Sequence, residues 1–244
     1  MITEFKGFSV VAPSWPRLNS ICAFTTLARS GDKLVSFSGM SDDAVQCRVL
    51  IEKALDPIRP IHWLDQVHKS DVLELPFDHT HQGDAVVTST PGVVCAVRSA
   101  DCLPVVFASS DAQRIGVAHA GWRSLHAGVL IKTLAAVRRQ GSDVLVWLGP
   151  AIGPNSFEVG PEVFKAFVDL DSNNSTAFVR GDRDRYFCNV YELARKQLTN
   201  AGVELAAITG GNWCTFRDQR FHSSRRDGNL AGRMATVALI RVDL

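Results

Sequence analysis

Residues 99–123 read SADCLPVVFASSDAQRIGVAHAGWR, and this stretch decides the fold. Pro104 to Ala108 is a short apolar run, and Ile115 to Ala118 is another, with polar SSDAQR between them. Two such runs joined by a short polar turn predict an antiparallel hairpin. The chain then enters the hairpin at Cys102 and leaves it at His119, at the same open end. If Ala108 faces Ile115, Cys102 lies opposite Gly121, and His119 is two residues away on the same face. That diagonal spans roughly 7–8 Å or less. A one-residue slip would place the two side chains on opposite faces. In the predicted register, a thiol and an imidazole converge at a strand end, which suits either metal ligation or nucleophilic chemistry.

The rest of the chain is ordinary in composition. Its 244 residues are 46% hydrophobic, enough for a sizeable core, and a single domain over 1–244 is the simplest organisation. A net charge of +1 without a long basic run argues against a nucleic-acid partner or a membrane surface. No apolar stretch approaches the ~18 residues of a membrane span, and MITEFKGFSV lacks the pattern of a secretory leader. The six cysteines (Cys22, Cys47, Cys95, Cys102, Cys188 and Cys214) contain no C-x-x-C pair. In a chain of this length they read as free thiols of a reducing cytoplasm.

Apolar runs at Phe8 to Ala12, Val93 to Val97, Val144 to Leu148 and Val203 to Ile208 read as further buried strands. In LHAGVLIKTLAAVRR, Leu130, Leu134 and Val137 recur at helical spacing, with Lys132 and Arg139 off the stripe. Pro161 opens a second helix, and Asn189 caps a third that stops at Gly202. Asp169 to Thr176 reads as loop, and Leu230 to Leu239 as a closing helix. The expected fold class is α/β, a mixed β-sheet sandwiched between helices.

A third donor lies upstream at His68. It is 34 positions before Cys102, which is itself 17 positions before His119. Two imidazoles and a thiolate suit zinc and leave a fourth coordination position open, the arrangement of catalytic rather than structural sites. The same residues also suit buried, satisfied histidines beside a core thiol. Asp101, Gly121, Trp122 and Arg123 add charge, a flexible backbone and an aromatic at the same strand end.

Six motifs occur in order from Leu64 onward: QVH (66–68), GDAVVT (83–88), ADCLPV (100–105), AHAGWR (118–123), GPAIG with FEVGPEV (149–163), and CT with SSRRDG and AGRMA (214–235). Together they resemble the YfiH family, also called the laccase-domain or polyphenol-oxidase family. The resemblance implies a cytoplasmic α/β-sandwich protein holding one zinc ion on His68, Cys102 and His119. It implies phosphorolysis of adenosine, inosine, guanosine and S-methyl-5′-thioadenosine, with accompanying adenosine deamination. Peptidoglycan-precursor editing has also been attached to the family. The chain departs from the family pattern at Leu27, where TTR is usual, and within VSFSGMSDD (35–43). It departs again at Ser124 and at Asn155-Ser156.

Zinc can act as a Lewis acid or lower the pKa of bound water. Beside the ligands, Asp84 and Asp101 are candidates for proton transfer or for orienting a ligand histidine, and each also suits a turn residue or a helix cap. Arg123, Arg225, Arg226 and Asp84 are candidates for substrate contact, with Arg233 following in the same charged cluster, the arginines because phosphate needs a cationic fork. Gly121, Gly149, Gly153 and Gly160 read as tight-turn residues. Three alternatives stand beside the phosphorylase. One is a metal-independent Cys/His hydrolase or deamidase built on Cys102 and His119. A second is a non-enzymatic interaction protein. The third is a copper polyphenol oxidase, against which only one His-x-His pair, His79-Thr80-His81, can be set.

Overall fold

Leu103, Val105 and Phe107 alternate along their strand with Val106 and Ala108. The first set enters an apolar cluster with Leu130, Leu134, Phe167 and Leu198, and the second a cluster with Cys95, Val97, Met234 and Ala238. A strand buried on both faces must lie in an inner layer. The computed structural model describes residues 2–15, 18–39, 41–77, 80–138 and 143–242. Within them, two sheets stack face to face with helices outside. The first is antiparallel, in the order β1 (Ile2–Phe5), β2 (Phe8–Val11), β3 (Ile21–Thr26), β16 (Met234–Ile240) and β8 (Val94–Ser99). The second runs β15 (Ile208–Gly210), β11 (Val144–Leu148), β9 (Leu103–Ser109), β10 (Ile115–Ala120), β7 (Ala85–Thr88) and β6 (Val72–Leu75). Its β11–β15 and β6–β7 pairs are parallel, which makes it mixed. Two small sheets lie apart, β4 (Arg29–Ser30) with β5 (Lys33–Leu34), and β12 (Glu158–Val159), β14 (Tyr186–Cys188) and β13 (Phe178–Arg180).

Helix α1 (Asp42–Leu55) covers the outer face of the first sheet, where Cys47, Ile51 and Ala54 meet Phe24, Ala96 and Val237. The second sheet is covered by α2 (Trp122–His126), α3 (Val129–Val137), α4 (Pro161–Leu170) and α5 (Val190–Asn200). The short helix α6 (Ser224–Asp227) precedes β16. Asn189 caps α5 by accepting the Glu192 N–H, and Gly202, in the left-handed region at φ 81°, follows its end. Leu130, Leu134 and Val137 are buried, as their helical stripe predicts. No helix of the described residues is long and apolar enough to cross a membrane.

Three expectations fail, each for a physical reason. The closing helix expected over Leu230 to Leu239 is strand β16, the central partner of β3 and β8. A strand buried on both faces reads as a continuous apolar run, which periodicity cannot tell from a buried helix. The long helix of LHAGVLIKTLAAVRR breaks at Gly128, whose φ of 83° ends α2 and starts α3. Arg139 of that stretch lies outside the described residues. The strand expected over Val203 to Ile208 is a single 3-10 turn, Leu205–Ala207, before the short β15, and Leu205 is exposed. Within the expected loop, α4 persists to Leu170. A 3-10 turn over Ser172–Ala177 follows, capped by Asp171.

Phe107 is fully buried in the middle of β9, so Phe107→Ala should lower the unfolding free energy by about 3–5 kcal/mol. Urea denaturation at constant metal content measures this. A loss below about 1 kcal/mol would show that β9 is not the packed centre assigned to it.

Candidate metal centre

The hairpin register is the predicted one. Ala108 pairs with Ile115 and the ladder runs to Leu103–Ala120, so Cys102 and Gly121 follow at the open end. The first sheet ends at Ser99 and the second begins at Leu103, so Ala100-Asp101-Cys102 is the crossing between the two layers. Asp101 makes that turn with φ 83°, a region costly for a side-chain-bearing residue. Its carboxylate holds the conformation by accepting from the Thr215 hydroxyl (2.6 Å), the Ser223 hydroxyl (3.0 Å) and the Arg225 backbone N–H (2.7 Å).

His68 arrives on a loop that leaves the Asp65–Gln82 bridge. It too has a left-handed backbone, φ 58°, which turns three successive N–H groups inward. Val67, His68 and Lys69 donate to the carboxylate of Asp84 at 3.2, 3.0 and 2.7 Å. Asp84 has no solvent exposure, and it also accepts from His119 Nδ1 at 2.9 Å. In the neutral ring a proton on Nδ1, facing the carboxylate, leaves Nε2 as the lone-pair nitrogen that a metal would take. Gln66 fixes the same loop from the other side. Its amide donates to the Arg98 carbonyl and accepts from the Arg98 N–H, both at 2.7 Å.

The result is a compact donor set. One ligand atom each from His68, Cys102 and His119 lie within 4.8 Å of one another. The two imidazole rings are tilted by 58° with centroids 4.9 Å apart. His119 is buried, Cys102 half-buried and His68 exposed, so the group is closed on one side and open on the other. A Cβ at Gly121 would stand 3.0 Å from the Cys102 sulfur and 3.1 Å from His68 Nδ1. Close approach, not a turn, favours glycine there: a Cβ would crowd both donors, while the φ of −59° suits any residue. The space between the donors is kept clear, and the donors suit a metal ion of the zinc or copper type.

Electrostatics match this use. Burial disfavours a charge on His119. The negative charge of Cys102 and the Asp84 carboxylate outweigh that and raise its pKa to about 9. Burial and the charge of His119 push His68 downward. For Asp84 burial works upward, and the bonds from His119 and from the Lys69 and His68 N–H groups overcome it, so the carboxyl titrates below its usual range.

The donor set opens into a cavity of about 630 Å³. Gln66, Asp101, Arg225 and Ser224 line it, together with Arg98, Arg233, Ile152, Phe157, Ser38 and Gly39. Residues from the divergent VSFSGMSDD segment therefore do reach the cavity; Met40 lies outside the described residues. Asp84, Arg123 and Arg226 do not line it. Arg123 is exposed and lies over the Trp122 ring at 4.4 Å. Arg226 forks onto Asp227 at 2.8 Å and also donates to the carbonyls of Thr215, Phe216 and Phe221. Sequence reading missed Arg98 and Phe157. Arg98 did leave a signal, as a lone cation directly after the buried run VVCAV.

A model of the multi-copper polyphenol oxidoreductase laccase family matches residues 40–241. "Purine nucleoside phosphorylase YfiH" of Escherichia coli (strain K12) is 39% identical over 240 residues, covering 93% of this chain and 97% of that protein. The chain belongs to the YfiH family. Its similarity extends to "Purine nucleoside phosphorylase" of Xylella fastidiosa (strain Temecula1), 40% identical over 97% of this chain and 98% of that one. The crystal structure of a Neisseria meningitidis protein matches this YfiH-family fold with a TM-score of 0.87 at 30% identity, covering 97% of this chain and all of that one.

Two predictions follow from the geometry. In this YfiH-family protein, Asp84→Asn places an NH2 donor against backbone N–H donors and releases His119. Metal affinity should fall about 10–100-fold in chelator competition; unchanged affinity would remove Asp84 from its positioning role. The second concerns protons. With its pKa at about 9, metal-free His119 carries a proton at pH 7 that a metal must expel. Calorimetry of metal binding in buffers of different ionisation enthalpy should register that release at pH 7. The His119 share of it should disappear as pH rises through about 9. Release that does not change with pH would contradict a protonated His119.

Proposed function

We propose that this protein is a zinc-dependent purine nucleoside phosphorylase. It acts on adenosine, inosine, guanosine and S-methyl-5′-thioadenosine, and also deaminates adenosine. The observation that carries the reading is the donor triad His68, Cys102 and His119 opening into a cavity lined by arginines and by Phe157. The names of the full-length relatives support it. Two imidazoles and a thiolate are the softer donors zinc accepts, and three protein ligands leave a position for substrate or water. Copper also accepts such donors, and the family's description names it. His81 stacks on His62 at 4.3 Å and does not line the cavity, while His79 lies outside the described residues.

Bound to this triad, zinc would supply Lewis acidity and activation of water. The chain's own residues do the rest. Asp84 fixes the tautomer and direction of His119. Asp101, with its carboxylate committed to three donors, positions Cys102 and Arg225 and is not free to shuttle protons. Phe157 and Ile152 offer an apolar wall for a purine ring, and the arginines attract phosphate. In phosphorolysis a phosphate oxygen bonds to C1′ of the pentose as the bond from C1′ to purine nitrogen breaks. The electron pair stays on the purine, which takes up the proton phosphate gives. All six cysteines are free, consistent with a cytoplasmic setting.

A second reading has its own observation. Cys102, His119 and Asp84 also form a Cys–His–Asp relay, with His119 Nδ1 bonded to Asp84. A thiol hydrolase of that kind has no use for His68. Metal analysis with an inosine phosphorolysis assay separates the two. His68→Ala, Cys102→Ala and His119→Ala should each lose bound zinc and phosphorolysis together. Full turnover in a metal-free variant, or stable acylation of Cys102 that survives His68→Ala, would overturn the zinc enzyme.

A further inference from the structure

Three guanidinium groups, Arg98, Arg225 and Arg233, line the cavity beside the metal donors. Each is held by backbone carbonyls. Arg98 donates to the Leu64 and Phe37 carbonyls at 2.8 and 3.4 Å, and Arg233 to those of Ala231 and Gly232 at 2.8 and 2.9 Å. Arg225 donates twice to the Glu158 carbonyl, at 3.0 and 3.1 Å. Among the described residues none of the three pairs with a carboxylate. The one acid that lines the cavity among the described residues, Asp101, is committed to Thr215, Ser223 and the Arg225 N–H.

Carbonyl anchoring fixes the direction of a guanidinium fork without neutralising it. Like charges gathered in a half-enclosed cavity repel one another, and burial compounds this. Burial, with Arg48 and Arg233 nearby, disfavours the charged form of Arg98. Such an arrangement is stabilised by an anion that the forks can share. Both terminal nitrogens of Arg225 are engaged on the Glu158 carbonyl and both of Arg98 on the Phe37 and Leu64 carbonyls, whereas among the described residues Arg233 engages only Nη1 and keeps Nη2 and Nε, so Arg233 supplies the free fork and Arg98 a fixed positive charge beside it. Gln66 joins Arg98 to the His68 loop, so this cation and the metal donors are built on one support.

We propose that Arg98 and Arg233 form the seat of the inorganic phosphate co-substrate. This rests on the phosphorylase reading for its use in turnover, though not for its capacity to bind the anion. The test uses the metal-loaded full chain, with inorganic phosphate as probe. Calorimetry measures binding, and initial rates of inosine phosphorolysis are taken at varied phosphate. Arg233→Gln should weaken phosphate binding and raise KM for phosphate about tenfold or more, the loss expected of one charged hydrogen-bond partner. KM for inosine and metal content should hold near wild type. Arg233→Lys should recover part of the loss, which separates charge from folding, and adding Arg98→Lys should deepen the defect. Arg217→Gln, at an exposed arginine away from the cavity, controls for net charge. Unchanged phosphate binding in the double variant, or an equal loss in Arg217→Gln, would overturn the seat. If wild type binds phosphate, loses it in Arg233→Gln and yet phosphorolyses no nucleoside, the phosphorylase reading fails and the seat stands.

Discussion

The fully buried carboxylate of Asp84 is the constraint on which the site depends. An uncompensated buried charge is expensive, and this one is compensated only because four donors converge on it. Three are successive backbone N–H groups, which requires the left-handed turn at His68. The fourth is His119 Nδ1, which fixes the ring direction and leaves the opposite nitrogen bare. One carboxylate therefore sets two of the three metal donors at once. It also joins a loop to a strand more than thirty residues later, and the loop's shape depends on that bond rather than on its own sequence.

The third donor comes from a different constraint. The chain passes from one sheet to the other in the three residues between Ser99 and Leu103, and Asp101 makes the turn at a positive φ. Its carboxylate is tied to Thr215, Ser223 and the backbone of Arg225, so the crossing is braced by the segment before β16. That bracing also delivers Arg225 to the cavity wall. Of the two aspartates nominated for proton transfer or for orienting a ligand histidine, Asp84 is bonded to the His119 ring and Asp101 braces the crossing between the sheets. The cavity's free charge is left to arginines held on carbonyls.

Part of this was legible in the sequence. The hairpin was, because its turn is polar and its two arms are apolar, whereas the pairing of Ala108 with Ile115 was an assumption that the structure bears out. The His68, Cys102 and His119 set was legible from donor chemistry and from the ordered family motifs. β16 was not, because a strand packed on both faces carries no alternation to distinguish it from a helix. For Asp84 and Asp101 the sequence left several readings open, orientation of a ligand histidine among them, since a turn aspartate, a helix cap and a buried anchor look alike in one dimension. Arg226 and Arg123 resembled phosphate ligands for the same reason. Only their partners, Asp227 with three carbonyls for one and the Trp122 ring for the other, show where each guanidinium is spent.

By itself the sequence determined the layer type, the hairpin and the chemical kind of the site. Those depend on local patterning and on side-chain chemistry, both of which are written residue by residue. Tertiary structure decided which acids are buried, which cations among the described residues face no carboxylate, and where a glycine gives the donors room. Gly121 shows the difference: its backbone angles would admit any residue, and it is the sulfur of Cys102 and the ring of His68 that a side chain there would crowd. Such exclusions arise from segments far apart in the chain meeting in space, and no local pattern encodes that meeting.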